Sequence, residues 1–323
     1  LRRDKEDRAT DHLRYVFGPV ASGRLGRSLG LDGLGGRICT FDCLYCEAGA
    51  TEALTTARKP YVPATRLLGE LAAWKAAGHP DPDVVTLGGL GEPCLNTECA
   101  PILAGAGEIL AGVPTAVLTN SSLLSDPEVR RALARADIVL PSMDTLVAAE
   151  FFRLNRPHPD LSLAGIRQGL LDFRAEYAGR IFLEVLLVAG INDTEENLAL
   201  LREFCRELSP DRVDVTTMSR PGAHAGAAAV PRATLARFRD ALGAPATGPV
   251  EPGHGPSAQV CAATPDSLAA TIAASVRRRP QTVAGLAKAL GVPPCRVEKA
   301  LAELLRADAV RREDLDHDIF YSG

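Results

Sequence analysis

Six short apolar runs, most of them followed by an amphipathic stretch, constrain the fold more than any other feature of this 323-residue chain. They are SLGLDG (28–33), DVVTLGG (83–89), PTAVLTN (114–120), DIVLPSM (137–143), RIFLEVLLV (180–188) and DRVDVTTM (211–218). Short runs that are largely apolar fit strands buried on both faces, which is the habit of parallel strands. Parallel neighbours need long crossovers, and helical patterning fills the gaps: ATRLLGELAAWKAAG, ECAPILAGAGEIL, DPEVRRALARA, SLAGIRQGLLDFRAEYAG and DTEENLALLREFCREL. The last opens with Asp193 and Thr194 before Glu195 and Glu196, a capping residue followed by acid in the first turn. Repeated strand–helix units make an α/β fold, and six are two short of the eight that close a barrel. The expectation is a partial (β/α)6 TIM-like barrel.

The stretch 242–261, LGAPATGPVEPGHGPSAQVC, is dense in Gly, Pro and Ala and reads as a linker. Beyond it, SLAATIAASVRRRP, TVAGLAKALGV and PPCRVEKALAELLRAD carry helical patterning, with a short turn at Gly291. AVRREDLDHDIFYSG then reads as a two-stranded hairpin. Three helices and a hairpin predict a small winged helix-turn-helix domain. The expected organisation is a core domain over 1–241, a linker over 242–262 and the winged helix over 263–323. Residues 262–323 hold nine Lys/Arg against eight Asp/Glu, and the candidate recognition helix mixes Arg296 and Lys299 with Glu298 and Glu303. A DNA-reading helix needs unopposed cations for the phosphates, so specific DNA binding is not expected. Packing, dimerisation or docking of a peptide or protein substrate fits the charge better.

The whole chain is 46% hydrophobic and 24% charged, with a net charge of −4. Those figures exclude a largely disordered chain, a basic nucleic-acid coat and a polybasic membrane anchor. No apolar run approaches the ~18 residues of a membrane span, and the charged opening LRRDKEDRATDHLRY lacks the apolar stretch of a secretory signal. A soluble, cytoplasmic protein is expected. Thiols stay reduced in that compartment, so clustered cysteines point to metal ligation or catalysis.

Three of the eight cysteines fall together in CTFDCLYCE, placing Cys39, Cys43 and Cys46 in a C-x3-C-x2-C pattern on a loop after the first predicted parallel strand. Three thiolates suit three irons of a cubane cluster and leave the fourth iron open to a ligand. Zinc is the rival, but a structural zinc site wants four closed ligands, and no fourth Cys or His lies close by in sequence.

With Tyr45 just before the last cysteine, this segment resembles the radical S-adenosylmethionine (SAM) superfamily. TLGGLGEPCLN (86–96) is similar to the Gly-Glu-Pro segment of that superfamily, with Gly91, Glu92 and Pro93 in place to meet the methionine amino group of SAM. The resemblance extends to LTNSSLL, PSMD and VAGINDT, each at the C-terminal end of a predicted strand. It implies that Asn120 and Ser121 approach the SAM methionine or ribose, that Ser142 and Asp144 meet the ribose hydroxyls, and that Gly190, Ile191 and Asn192 flank the adenine. YVFGPVASGRLGRSLGLD (15–32) and LNRPHPDL (154–161) bring the chain nearer to the subgroup holding the tRNA wyosine-base synthases and many uncharacterised relatives, over about residues 15–222. Arg24, Arg27, Arg156 and Arg220 are the candidates for an anionic substrate or the SAM carboxylate.

The resemblance implies a [4Fe-4S] cluster that binds SAM and reductively cleaves it to methionine and a 5′-deoxyadenosyl radical, which takes hydrogen from a substrate. It also implies an electron donor such as flavodoxin or ferredoxin, and a substrate that is a small molecule, a peptide or RNA. The wyosine synthases carry a second cluster on cysteines upstream of the SAM motif. No cysteine precedes Cys39 in this sequence, which tells against that activity. Of Cys94, Cys99, Cys205, Cys261 and Cys295, the first two are the nearest candidates for an auxiliary cluster. Cys205 and Cys295 read as small buried hydrophobes. A tRNA-base modifying enzyme and a cluster-based sensor acting through the winged helix are the alternatives, and six strand–helix units exceed what a sensor needs.

Overall fold

The computed structural model describes residues 13–244, 265–315 and 318–323. Most of the expected linker, and Cys261 within it, lie outside the described residues. The described residues open with β1 (Val16–Ser22) and β2 (Gly26–Leu31), then two short strands, β3 (Ile38–Cys39) and β4 (Ala53–Leu54), on the cysteine segment. Strands and helices then alternate: α1 (Ala64–Ala76), β5 (Val84–Leu87), α2 (Cys99–Ile109), β6 (Thr115–Thr119), α3 (Pro127–Leu133) and β7 (Ile138–Pro141). Two helices follow β7, α4 (Ala148–Asn155) and α5 (Leu163–Glu176), before β8 (Arg180–Leu187), α6 (Glu195–Leu208), β9 (Arg212–Thr217) and α7 (Arg232–Leu242).

One sheet runs β1-β2-β5-β6-β7-β8-β9. Its six parallel strands, β2 and β5 through β9, are those expected from the apolar runs. The seventh, β1, is antiparallel to β2 and was not expected. Gly18 and Pro19 interrupt its pattern and sit where the register shifts between Phe17 and Val20; proline is tolerated there because β1 is an edge. The short helix α4 was not expected either.

Side chains alternate between two cores with period two. Val85, Leu87, Val117, Val139, Ile181 and Leu183 pack outward against helix residues such as Leu67, Leu71 and Ile102. Val84, Ala116, Ile138, Leu140 and Phe182 face inward, joined by Leu25 from the β1–β2 turn. That turn reaches strands at the opposite edge of the sheet. The Arg24 guanidinium pairs with Glu184 on β8, and Arg212 on β9 donates to the Arg24 carbonyl at 3.3 Å. Residues from both edges meet only if the sheet curls, so the architecture is a half-barrel with its lateral opening between β1 and β9.

The C-terminal residues form α8 (Pro265–Val276), α9 (Val283–Leu290), α10 (Pro294–Arg306) and an antiparallel hairpin of β10 (Arg311–Leu315) and β11 (Asp318–Ser322). They share their own core of Leu268, Ile272, Val276, Leu286, Val297, Leu301 and Val310. Helices α8 and α9 lie on β1. Arg278 fastens them: its guanidinium sits 4.2 Å above the Phe17 ring, donates to the Arg14 carbonyl at 2.6 Å and pairs with Asp32 at 3.5 Å. Burial among apolar atoms lowers its pKa, opposed by the Asp32 charge. Among the described residues no helix is long and apolar enough to cross a membrane.

Two outcomes follow from this packing. Arg278→Ala leaves the buried Asp32 carboxylate without its cation and should lower the unfolding free energy by about 3 kcal/mol in urea titrations. Glu184 is held above the usual carboxylate range by burial, with the Arg24 charge opposing and the Asp214 and Asp144 charges reinforcing it. Because its folded pKa exceeds its unfolded one, its contribution to stability is present below about pH 4.3 and is lost as pH rises through the folded value. Glu184→Gln should therefore flatten the decline in stability that the parent protein shows as pH rises above about 4.3, read in urea titrations across pH.

Candidate active site

The cysteine loop crosses the C-terminal ends of the parallel strands and is gripped by backbone on both flanks. On one flank the Glu92 N–H donates to the Ile38 carbonyl at 3.2 Å. Gly91 lies so close that a Cβ there would stand 1.9 Å from the same oxygen, and its φ of +116° is open only to glycine. On the other flank, Asp42 N–H donates to the Asn155 carbonyl at 3.1 Å, Leu44 N–H to that of Leu154 at 2.9 Å, and His158 N–H to that of Thr40 at 2.9 Å. The segment 154–158 thus serves as a second strand for the loop.

Cys39, Cys43 and Cys46 are free, half-buried thiols. Asn120 Nδ2 donates toward Cys39 Sγ at 3.5 Å, and Asn155 Nδ2 toward Cys43 Sγ at 3.6 Å. Burial raises all three thiol pKa values, that of Cys39 to about 12, and each charged neighbour raises them further. Among the described residues, no three His, Cys, Asp or Glu side chains close on a single ion position. A cubane asks for a wider spread, since each iron takes its own thiolate.

Beside the thiols, Asp144 is a hub. Its carboxylate accepts from the Tyr45 hydroxyl, from Asn155 Nδ2 at 3.1 Å and from the Leu186 N–H at 2.9 Å. Its carbonyl accepts from Asn192 at 2.9 Å and Asn197 at 3.0 Å. Burial raises the Asp144 pKa while these donors oppose the rise. Tyr45, Asn120, Ser142, Asp144 and Asn155 line one crevice, walled by Phe41 and Phe151 in edge-to-face contact at 5.6 Å. Its volume of about 20 Å³ is room for a water, so it marks where polar groups converge and does not itself admit a nucleoside.

Other expected contacts are spent within the protein. Glu92, 1% exposed, accepts from Cys94 N–H at 3.0 Å, Thr119 Oγ1 at 2.8 Å and Asn120 N–H at 2.7 Å, binding the turn at Pro93 to the end of β6. The Ser121 hydroxyl donates to the Ser142 carbonyl at 2.9 Å. Asn192 is wholly buried and braces Leu186, Val188 and Asp144; Ile191 packs on Leu154 and Val188 near Tyr45, and Gly190 is an exposed turn residue. Cys94 and Cys99 sit in the main core, with Cys99 Sγ donating to the Pro93 and Asn96 carbonyls at 3.0 Å. Cys205 is half-buried, and Cys295 is exposed rather than buried.

The arginines separate. Arg220 holds Glu47 at 3.0 Å beside the cysteine loop, and Arg156 holds Asp42 at 2.9 Å. Arg24 enters the barrel interior. Arg27 belongs at the N-terminal end of β2, away from the cysteines, where it donates to the Pro80 carbonyl at 3.4 Å. Sequence reasoning singled out the LNRPHPDL segment for Arg156, whereas its neighbour Asn155 is the residue that touches a thiol and Asp144. Gly91→Ala should cost at least about 2 kcal/mol of unfolding free energy, measured in urea, because strain and the Ile38 carbonyl act together.

No family profile matches the chain. Curated relatives do. A UPF0026 protein of Helicobacter pylori (strain J99) is 34% identical over 214 residues, spanning 66% of this chain and 69% of that protein. UPF0026 protein slr1464 of Synechocystis is 36% identical over 210 residues, 64% of this chain and 76% of that protein. Among solved structures, a radical SAM methyltransferase from Sphaerobacter thermophilus superposes with a TM-score of 0.50 at 20% identity, over 67% of this chain and 62% of that one. An archaeal TYW1 gives 0.45 at 13% identity, over 70% and 74%. The first likeness is one of fold: the half-barrel is shared with that methyltransferase. With relatives above 30% identity matched over more than two thirds of their length, the chain belongs to the UPF0026 family.

Proposed function

We propose that the chain is a radical SAM enzyme in which Cys39, Cys43 and Cys46 hold a [4Fe-4S] cluster. The observation that carries this reading is the display of three soft donors over the ends of six parallel strands, with side-chain amides of Asn120 and Asn155 directed at two of the sulfurs. Hydrogen bonds to sulfur stabilise thiolate ligands and tune a cluster's potential. Reduced and bound to SAM, such a cluster supplies the electron that breaks a C–S bond and yields a 5′-deoxyadenosyl radical able to take hydrogen from a substrate.

The protein's own residues do the positioning. The Tyr45 hydroxyl is fixed by Asp144, and that carboxylate is fixed in turn by Asn155 and the Leu186 N–H, so the loop and the β7 end move as one piece. Asn120 and Ser142 offer polar edges to SAM from β6 and β7, and Gly190 and Ile191 offer an apolar turn after β8. Glu92 acts first as the tie between its turn and Asn120, and its second oxygen keeps a free lone pair for an ammonium group. Phe41 and Phe151 give the crevice an apolar wall. In this reading the residues after 264 form a winged helix that serves the half-barrel, and a small donor protein such as flavodoxin or ferredoxin supplies electrons.

The test is anaerobic. The full chain is reconstituted with iron and sulfide, reduced and given SAM, with Cys43→Ala alongside. Release of 5′-deoxyadenosine by the parent and at least 100-fold less by the variant is the expected result. Zinc in place of iron, or a demonstrably reduced cluster that leaves SAM intact with every substrate class offered, would overturn the reading.

A further inference from the structure

A second cavity, of about 200 Å³, lies where the C-terminal helices meet the open side of the half-barrel. Its walls include Ser219 and Arg220 from beyond β9, Arg279 from the end of α8, and Gln281, Thr282 and Gly285 at the start of α9. The charges here are unbalanced. Arg220 has Glu47, and Arg24 nearby has Glu184. Arg279 forms no ion pair among the described residues, Glu47 acting on it only at longer range: its single hydrogen bond goes to the Ala21 carbonyl at 3.3 Å, leaving most of its five N–H donors without a partner. Desolvation, with the Arg220 charge opposed by Glu47, brings its pKa down to about 10, so it stays charged at neutral pH. The start of α9 adds the positive end of a helix dipole to the same wall.

We infer that this cavity is an oxyanion site, with Arg279 as its principal cation and Arg220 beside it, set against the positive end of the α9 dipole. A guanidinium pressed against other guanidiniums in a recess is costly unless a bound anion balances it. Planar donors suit a carboxylate or a phosphate, which share paired oxygens at matching spacing. Arg220 also joins the cavity to the cysteine loop, because Glu47 follows Cys46 directly. The anion is therefore the anchoring group of a substrate whose reactive carbon points toward the thiols. That last step rests on the radical SAM reading; the oxyanion site does not.

The full chain is titrated with inorganic phosphate and, separately, with acetate, at constant ionic strength made up with chloride, and binding is followed by calorimetry and thermal shift. Saturable binding of one of them is expected, the identity of the better ligand assigning the anchor to phosphate or carboxylate. Arg279→Gln should weaken it at least tenfold, Arg279→Lys several-fold, and Arg206→Gln on the exposed side of α6 not at all. Should Arg279→Gln fail to fold, the lysine variant still decides, since it keeps the charge and loses the fork. Neither oxyanion binding better than chloride, or both Arg279 variants binding like the parent, would overturn the site. Oxyanion binding by a chain that never cleaves SAM would overturn the enzymatic reading and leave the site standing.

Discussion

Residues 38–44 carry two of the three clustered motif cysteines, Cys39 and Cys43, on a segment with almost no regular structure of its own, so its placement depends on main-chain hydrogen bonds from outside. The turn at Gly91 grips it on one side and the 154–158 segment on the other. This double clamp is what makes the strand ends a site. A loop held at one flank would let Cys43 swing away from Asn155. Because the clamps follow β5 and β7 respectively, the loop takes its position from the rigid sheet. The absence of a side chain at Gly91 and the left-handed turn at Arg156 (φ 47°) are local costs that let both clamps come close enough to bond.

Below the loop, polar groups at the strand ends are satisfied by one another. A buried carboxylate such as Asp144 is stable only when donors surround it, and Tyr45, Asn155 and Leu186 supply them. Asn192 and Asn197 fix the same residue through its carbonyl. The network links β7, α4, the turn after β8 and α6, so a displacement at Tyr45 is felt at four elements. Polar residues at strand ends thus build the support of the site as well as its surface, and a role in support does not remove one in contact.

The six parallel strands were legible because burial on both faces leaves an apolar run that few other structures share. Strand β1 was not, since Gly18 and Pro19 break its pattern and its extended form rests on pairing with β2 and on the helices packed over it. The helix α4 is short, and its sequence AAEFFRLN carries one exposed phenylalanine, Phe152, that blurs its period. The three clustered cysteines stood out by their spacing. Asn155 was visible inside a noticed segment yet overshadowed by the arginine beside it, because charge is easier to assign from sequence than an amide whose worth depends on what it faces. Arg27 shows the converse: its place in a Gly-rich segment drew attention, but it stands at the N-terminal end of β2, away from the cysteines.

Arg278 and Arg279 are adjacent in a run of three arginines, 277–279. Both lie in the turn that follows α8, which ends at Val276, and their side chains diverge there. That divergence sends Arg278 onto Phe17 and Asp32, where it fastens the C-terminal residues to β1, and sends Arg279 toward Arg220 across the lateral opening. A half-barrel has an unfilled side by construction, and covering it with an edge hairpin plus a helical module solves the exposure of both the interior and the edge strand. The same cover brings a cation to a wall that the half-barrel cannot supply from its own strands. Closure and recognition are therefore served by consecutive residues, and the module that looks separable by composition is part of the cavity it closes.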